Sequence, residues 1–141
     1  MLDKIKEIAF NIRRAFEEIE KGEGMRLGGL CGYCKRASIQ LYLEAHRRGL
    51  DVRLVATPGH VYNTYGDYIV DVTATQFGIA SPVWVVRKEG NQISYWTPTK
   101  DNLTVEQLNN ETFWFVGERQ TKEDSQIVQK YMQEEELCQT M

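Results

Sequence analysis

A chain of 141 residues, 42% of them hydrophobic, is long enough for one domain and apolar enough for a packed core. Seventeen Lys and Arg against twenty Asp and Glu leave a formal charge of −3, which excludes a global basic field of the kind that draws proteins to nucleic acid. No run of eighteen or more apolar residues is present for a membrane span, and Met1-Leu2-Asp3-Lys4 lacks the basic and apolar regions of an export signal, so the three cysteines are expected as thiols in a reducing cytoplasm.

In chain order, residues 3–21 place Ile5, Ile8, Ala9, Ile12, Phe16 and Ile19 at the spacing of an amphipathic helix, which Gly22 and Gly24 end. A glycine-rich loop, residues 25–33, leads into a second predicted helix, residues 34–48. There Ala37, Leu41 and Ala45 form one stripe beside Ser38, Ile39 and Tyr42, a small-residue face suited to close packing on a sheet. His46, Arg47 and Arg48 suit the negative end of the helix dipole, and Gly49 suits the position after it. The pairs Arg13-Arg14 and Arg47-Arg48 are expected on solvated helix faces.

Val52, Leu54 and Ala56 alternate in a strand over residues 51–57, broken by Pro58-Gly59. Residues 60–65 and 68–73 predict a hairpin turning at Gly66-Asp67, and residues 83–87 and 92–96 a second one turning at residues 89–91. A short helix over 103–108 is expected, capped by Asn102 or Thr104, then a last strand over 113–116. Residues 121–137 form a helix with a weak stripe at Ile127, Val128 and Tyr131, ending in the acidic run Glu134-Glu135-Glu136. Two helices followed by antiparallel strands give an α+β fold, helices packed on one antiparallel sheet. The expectation is one domain over residues 1–141, with a core over about 25–116 and a C-terminal helix and acidic tail over 121–141.

The chemistry gathers at the loop–helix junction. Cys34 opens the second helix, where unpaired backbone N–H groups and the positive end of the dipole favour a thiolate. His60 starts the first strand of the central hairpin. A two-residue turn pairs Tyr65 with Tyr68 and Tyr62 with Asp71, and His60 shares the face of Tyr62. His60 and Asp71 are then diagonal neighbours with backbones about 7–8 Å apart, within side-chain reach. A three-residue turn would break that parity. Cysteine, histidine and aspartate so arranged make a nucleophile, a base and an orienter. The backbone N–H of Cys34 supplies one oxyanion donor, and Gln76, just past the Asp71 strand, is a candidate for a second.

Cys34 followed by Ala37-Ser38, then Gly59-His60-Val61, then Tyr68-Ile69-Val70-Asp71-Val72-Thr73-Ala74-Thr75-Gln76-Phe77, resembles the transglutaminase-like branch of the papain-like cysteine enzymes, in particular small bacterial and phage members. The resemblance spans residues 27–78, and Asp71-Val72-Thr73 matches the Asp-x-Thr setting of that branch. It implies a papain-like core and a thiol acyl-transfer enzyme acting on an amide of a protein or peptide: a peptidase, a glutamine deamidase or, less economically, a transglutaminase. It implies Cys34, His60 and Asp71 as the triad, Thr73 and Tyr62 as neighbours, and neither cofactor nor metal. Two features depart from the pattern. Tyr62 is the first aromatic after His60, because Val61 follows it directly. No glutamine precedes Gln40, so the glutamine that papain-like proteases place before the cysteine is absent. Cys31 competes for the nucleophile's seat, since Arg26-x-Gly28-Gly29-x-Cys31 loosely resembles the motif of arylamine N-acetyltransferases.

Other readings of the same residues stand beside this one. Cys31-x-x-Cys34 is half of a zinc site, for which only His60, His46 and Cys138 remain as further ligands. The pair is also a redox motif without the strand that normally leads into one. A non-catalytic module would keep Cys34 as a small buried hydrophobe. Thr73 would then be a strand residue satisfied locally, and Cys138 incidental. The tryptophans and tyrosines read as core or rim, and neither nucleic acid nor membrane is an expected partner.

Overall fold

Burial of one helical stripe explains the first element. A computed structural model of the chain, which describes residues 1–24, 32–91, 100–112 and 115–140 (side chains through 133), forms helix α1 over Leu2–Glu23. Ile5, Ile8, Ala9, Ile12, Phe16 and Ile19 are all buried, as the spacing predicts. Gly24 ends the helix in the left-handed conformation at φ 73°. Helix α2 runs over Cys34–Arg47, and its Ala37, Leu41 and Ala45 are fully buried.

Among the described residues five strands form one antiparallel sheet in the order β4-β3-β2-β1-β5: β1 Val52–Thr57, β2 His60–Tyr65, β3 Tyr68–Asp71, β4 Trp84–Arg87 and β5 Lys100–Leu103. A 3-10 turn, Ala74–Phe77, follows β3. Two further helices, α3 over Val105–Glu111 and α4 over Glu118–Thr140, complete an α+β fold. One side of the sheet, with Val52 and Val70, meets α1, α2 and α4 in the main core, and Leu54, Ala56 and Val61 meet Ile39 and Leu108. Residues of opposite parity, Val55, Tyr62 and Ile69, form a smaller cluster with Phe77, Trp84 and Val86. Each buried Leu, Ile or Val in these clusters stabilises by about 1.5–3 kcal/mol relative to exposure.

The register of the central hairpin is the one its turn dictates. Tyr65 pairs with Tyr68 and Asn63 with Val70, so Gly66-Asp67 is a two-residue turn, with Gly66 at φ 56°. Thr57 pairs with His60 across an equally tight turn at Pro58-Gly59.

Several elements differ from expectation, each for a local reason. Strand β3 stops at Asp71 rather than at residue 73, because the Asp71 carboxylate accepts the Thr73 N–H at 2.9 Å and turns the chain. Strand β5 was not expected. Its sequence Lys100-Asp101-Asn102-Leu103 has no β-branched alternation, and it forms by pairing with β1 through a bulge at which Asn102 takes φ 56°. Helix α3 starts after Thr104 and runs to Glu111, because Thr104 and Gln107 form a reciprocal capping box. Phe115 and Val116 form no strand: both backbone groups of Val116 are taken by the Asn109 side chain at 3.0 Å. Residues 113 and 114, and the expected strand over 92–96, lie outside the described residues.

The core also reaches beyond residues 25–116. Ile5 to Ile19 of α1 and Val128 and Met132 of α4 belong to one cluster with α2 and the sheet. Arg13 is not on a solvated face. It is 8% exposed and donates to the Val72 carbonyl at 3.0 Å and to Thr75 Oγ1 at 2.8 Å. Arg14 is exposed, over the Tyr131 ring, while Arg47 and Arg48 both pair with buried Glu44. No described helix is long and apolar enough to cross a membrane.

The small-residue face of α2 sets its distance from the sheet. Ala37→Leu is expected to overpack that contact and lower stability by about 1–3 kcal/mol. Urea unfolding with an unchanged slope measures it, and a stability equal to the parent's would contradict close packing at Ala37.

Candidate active site

The site forms at the end of the sheet where β1 leaves, β2 begins and β3 ends. The two-residue hairpin turn fixes the parity of β2 against β3, so His60 and Asp71 share a face. His60 is 3% exposed and Asp71 1%. His60 Nε2 stands 2.6 Å from Asp71 Oδ2, the length of a charge-assisted hydrogen bond. The other carboxylate oxygen, Oδ1, accepts the Thr73 N–H and, at 3.3 Å, the Thr73 hydroxyl. That hydroxyl in turn accepts from Gln76 Nε2 at 3.2 Å. Asp71 is thus held from its own backbone turn, and Thr73 and Gln76 form the far end of the chain of contacts. The imidazole is clamped by rings as well: Tyr62 stacks at 5.8 Å and Phe77 meets it edge-on at 4.6 Å. Burial, with Asp101 and Asp71 adding to it, pushes the Tyr62 hydroxyl up to about 12.

Cys34 comes to the same place from the other side. It is the first residue of α2, half-buried, with no side-chain cap and no acidic residue in the first turn. Two hydrogen bonds fix α2 to β2 one turn further on. Ser38 Oγ donates to the Val61 carbonyl at 3.3 Å, and Asn63 Nδ2 donates to the Ser38 carbonyl at 3.1 Å. Arg36 ties the same helical turn to its neighbours. It reaches Asp124 of α4 through Nε at 3.0 Å and a terminal nitrogen at 2.7 Å, and Glu23 at the end of α1. Lys35 donates to Thr112 Oγ1 at 2.6 Å; burial pushes its ammonium down, opposed by Cys34.

The thiol and the imidazole interact. Burial, the largest influence on His60, depresses its basicity. Hydrogen bonds to Asp71 and Cys34, with the charges of both, outweigh that and raise it from 6.5 to about 9. Because Nε2 is committed to Asp71, Nδ1 is the nitrogen left for Cys34. An imidazole that keeps its proton through neutral pH thus stands beside the thiol, with a proton to give. Cys34 and His60 open on one cleft of about 590 Å³, also lined by Gln76, Gln120, Lys35 and Phe115. Phe115, another lining residue, is 79% exposed. The cleft borders two further hollows. Thr57, Pro58 and Glu111 are shared with a hollow of about 110 Å³, and Phe115 and Val116 with a groove of about 680 Å³.

Of the residues singled out from the sequence, Cys34, His60, Asp71, Thr73 and Gln76 come together. Tyr62 supports the ring without lining the cleft. Cys31 and the side chain of Cys138 lie outside the described residues. His46 faces away, its Nε2 at 2.8 Å from the Val52 carbonyl, and among the described residues no cluster of three or more His, Cys, Asp and Glu could hold a metal ion. Sequence reasoning missed Asn63, Phe77, Gln120 and the Arg36–Asp124 pair. Asn63 carried a signal, an amide in the middle of an apolar strand. Gln120 and Asp124 carried none, because only the packing of α4 on α2 brings them to the site. No protein family, curated protein or solved structure matches the chain.

A basicity raised on folding gives a defined pH dependence. The stabilisation from His60 is fully present below pH 6.5 and is lost as pH rises through about 9. The imidazole resonances should titrate with a midpoint near 9, and Asp71→Asn should bring the midpoint down. A midpoint at or below 6.5 in the parent would contradict the His60–Asp71–Cys34 contacts.

Proposed function

We propose that the protein is a cysteine-dependent acyl-transfer enzyme that hydrolyses amide bonds, a peptidase or glutamine deamidase built on a papain-like, transglutaminase-like core. The observation that carries the reading is the buried His60–Asp71 hydrogen bond of 2.6 Å, opening with Cys34 at a helix start onto one cleft. A carboxylate buried beside a histidine serves the core no better than two apolar residues would, so its presence at the cleft calls for a chemical role. Two further hollows sharing lining residues with the cleft suit a stretch of polypeptide better than a small metabolite. A thiol nucleophile works only when reduced, which fits a cytoplasmic setting.

In the first half-reaction Cys34 Sγ attacks the carboxamide carbon as the carbonyl electron pair moves onto oxygen. The backbone N–H at the start of α2 meets the developing oxyanion. The tetrahedral intermediate collapses, the C–N bond breaks, and His60 gives its proton to the departing amine or ammonia. In the second half-reaction His60 takes a proton from water, which attacks the thioester and releases a carboxylic acid and the Cys34 thiol. Asp71 holds the ring in one orientation and stabilises the imidazolium between these transfers. Thr73 keeps Asp71 in place. Hydrolysis is the more economical outcome, because water needs no binding site of its own.

The test is to incubate the protein with a denatured polypeptide and to follow ammonia and new amino termini in parallel. Deamidation releases the first and peptidolysis the second. Cys34→Ala should abolish either signal, and Asp71→Asn should reduce it by about 10²–10⁴-fold. Neither product from the parent chain, or undiminished product from Cys34→Ala, would leave a non-catalytic binding module as the better account.

A further inference from the structure

Acyl transfer through a tetrahedral intermediate is speeded by each donor fixed toward the oxyanion, and the start of α2 offers the backbone N–H of Cys34. Among the described residues two side-chain amides line the cleft, Gln76 and Gln120. Each is tethered through one N–H to a buried anchor. Gln76 Nε2 donates to Thr73 Oγ1 at 3.2 Å, and Gln120 Nε2 donates to Asp124 Oδ1 at 2.9 Å. Each amide group has two N–H bonds, so each keeps one to offer.

The geometry of the intermediate separates them. Its carbon bears Sγ, the oxyanion, the leaving nitrogen and the acyl chain. The leaving nitrogen must face His60 to receive its proton, so the oxyanion lies on the other side, toward the start of α2. Gln76 hangs from Thr73 and Asp71, the groups that orient His60, and so belongs to the leaving-group side. Gln120 lines the same cleft from α4, outside that chain of contacts. Its partner Asp124 is 2% exposed and is gripped by two nitrogens of Arg36, two residues after Cys34 on the same helical turn. The amide is therefore positioned by the helix that carries the nucleophile. A donor fixed in advance needs no reorganisation as charge develops, which is the condition for it to act on the transition state.

We infer that Gln120 is the second oxyanion donor and hence a catalytic residue of helix α4. The inference rests on the acyl-transfer reading and adds a residue that no motif around Cys34, His60 or Asp71 contains. It also gives α4 a role beyond covering the core.

Two probes of Cys34 separate this role from a structural one. Iodoacetamide alkylates a thiolate by displacement and forms no oxyanion. p-Nitrophenyl acetate acylates it through a tetrahedral intermediate: the Sγ–C bond forms, then the C–O bond to p-nitrophenolate breaks and the released anion is read by its colour. Gln120→Ala and Gln120→Met should alkylate within twofold of the parent at pH 6.5 but acylate at least tenfold more slowly. Gln76→Ala should slow both reactions together, through His60. Parent-like acylation by both Gln120 variants would overturn the assignment, as would an equal fall in both reactions. A parent chain that shows neither fast alkylation nor acylation of Cys34 would instead overturn the acyl-transfer reading beneath it.

Discussion

The structure depends most on a buried imidazole and a buried carboxylate that can only be inside the protein together. His60 and Asp71 are both buried, and removing one partner of such a pair typically costs about 3–5 kcal/mol, because the other is left uncompensated. Their 2.6 Å contact therefore constrains everything around it. The hairpin must turn in two residues, β3 must end where the Asp71 carboxylate can take the Thr73 N–H, and Tyr62 and Phe77 must close over the ring. Solvent exclusion that would be a liability in a purely structural role becomes useful beside a thiol. It keeps the imidazole's orientation fixed and its proton held to about pH 9.

Cys34 is brought to this pair by helix packing, and the helix is fixed at more than one level. Apolar burial of Ala37, Leu41 and Ala45 sets how close α2 approaches the sheet. That contact is nondirectional and would allow the helix to slide. The Ser38–Val61 and Asn63–Ser38 hydrogen bonds remove this freedom along β2, and Arg36, held by Asp124 and Glu23, ties the first turn to α4 and α1. The same α4 contact continues down α2 in polar pairs, with Gln40 accepting from Ser125 and Glu44 from Gln129. The proposed reaction would need this sort of multiple fixation, since misplacement by about 1 Å can reduce rate by 10²-fold. Arg13 extends the arrangement to the other half of the site, because it anchors the loop directly after Asp71 through Val72 and Thr75.

What could be read from the sequence was what local rules determine. The period of Ile5, Ile8, Ile12, Phe16 and Ile19 dictates α1, and the Gly66-Asp67 turn dictates which residues of β2 and β3 share a face. The encounter of His60 with Asp71 follows from parity alone. The proximity of Cys34 to His60 came instead from a family resemblance together with a helix start, and its physical basis, the Asn63 and Ser38 bonds, lies in tertiary contacts. What stayed hidden depends on long-range pairing. Strand β5 has no strand propensity of its own and exists because β1 offers an edge. The chain at Val116 is fixed by Asn109 rather than by a ladder, and the polar face of α4 reads as solvated until Asp124 is found against Arg36. Arg13 was misread for the same reason: a cation on a helix looks solvated unless the carbonyl and hydroxyl that receive it are known.

The central claim is that His60 makes Cys34 a nucleophile. The pH dependence of its alkylation by iodoacetamide, with the modified cysteine assigned by mass spectrometry, tests that claim most directly. The account predicts that Cys34 reacts rapidly at pH 6, well ahead of Cys31 and Cys138, and that His60→Ala removes this reactivity at pH 6 while leaving slow labelling at alkaline pH. Slow and equal labelling of Cys31 and Cys34 in the parent chain, unchanged by loss of His60, would contradict it.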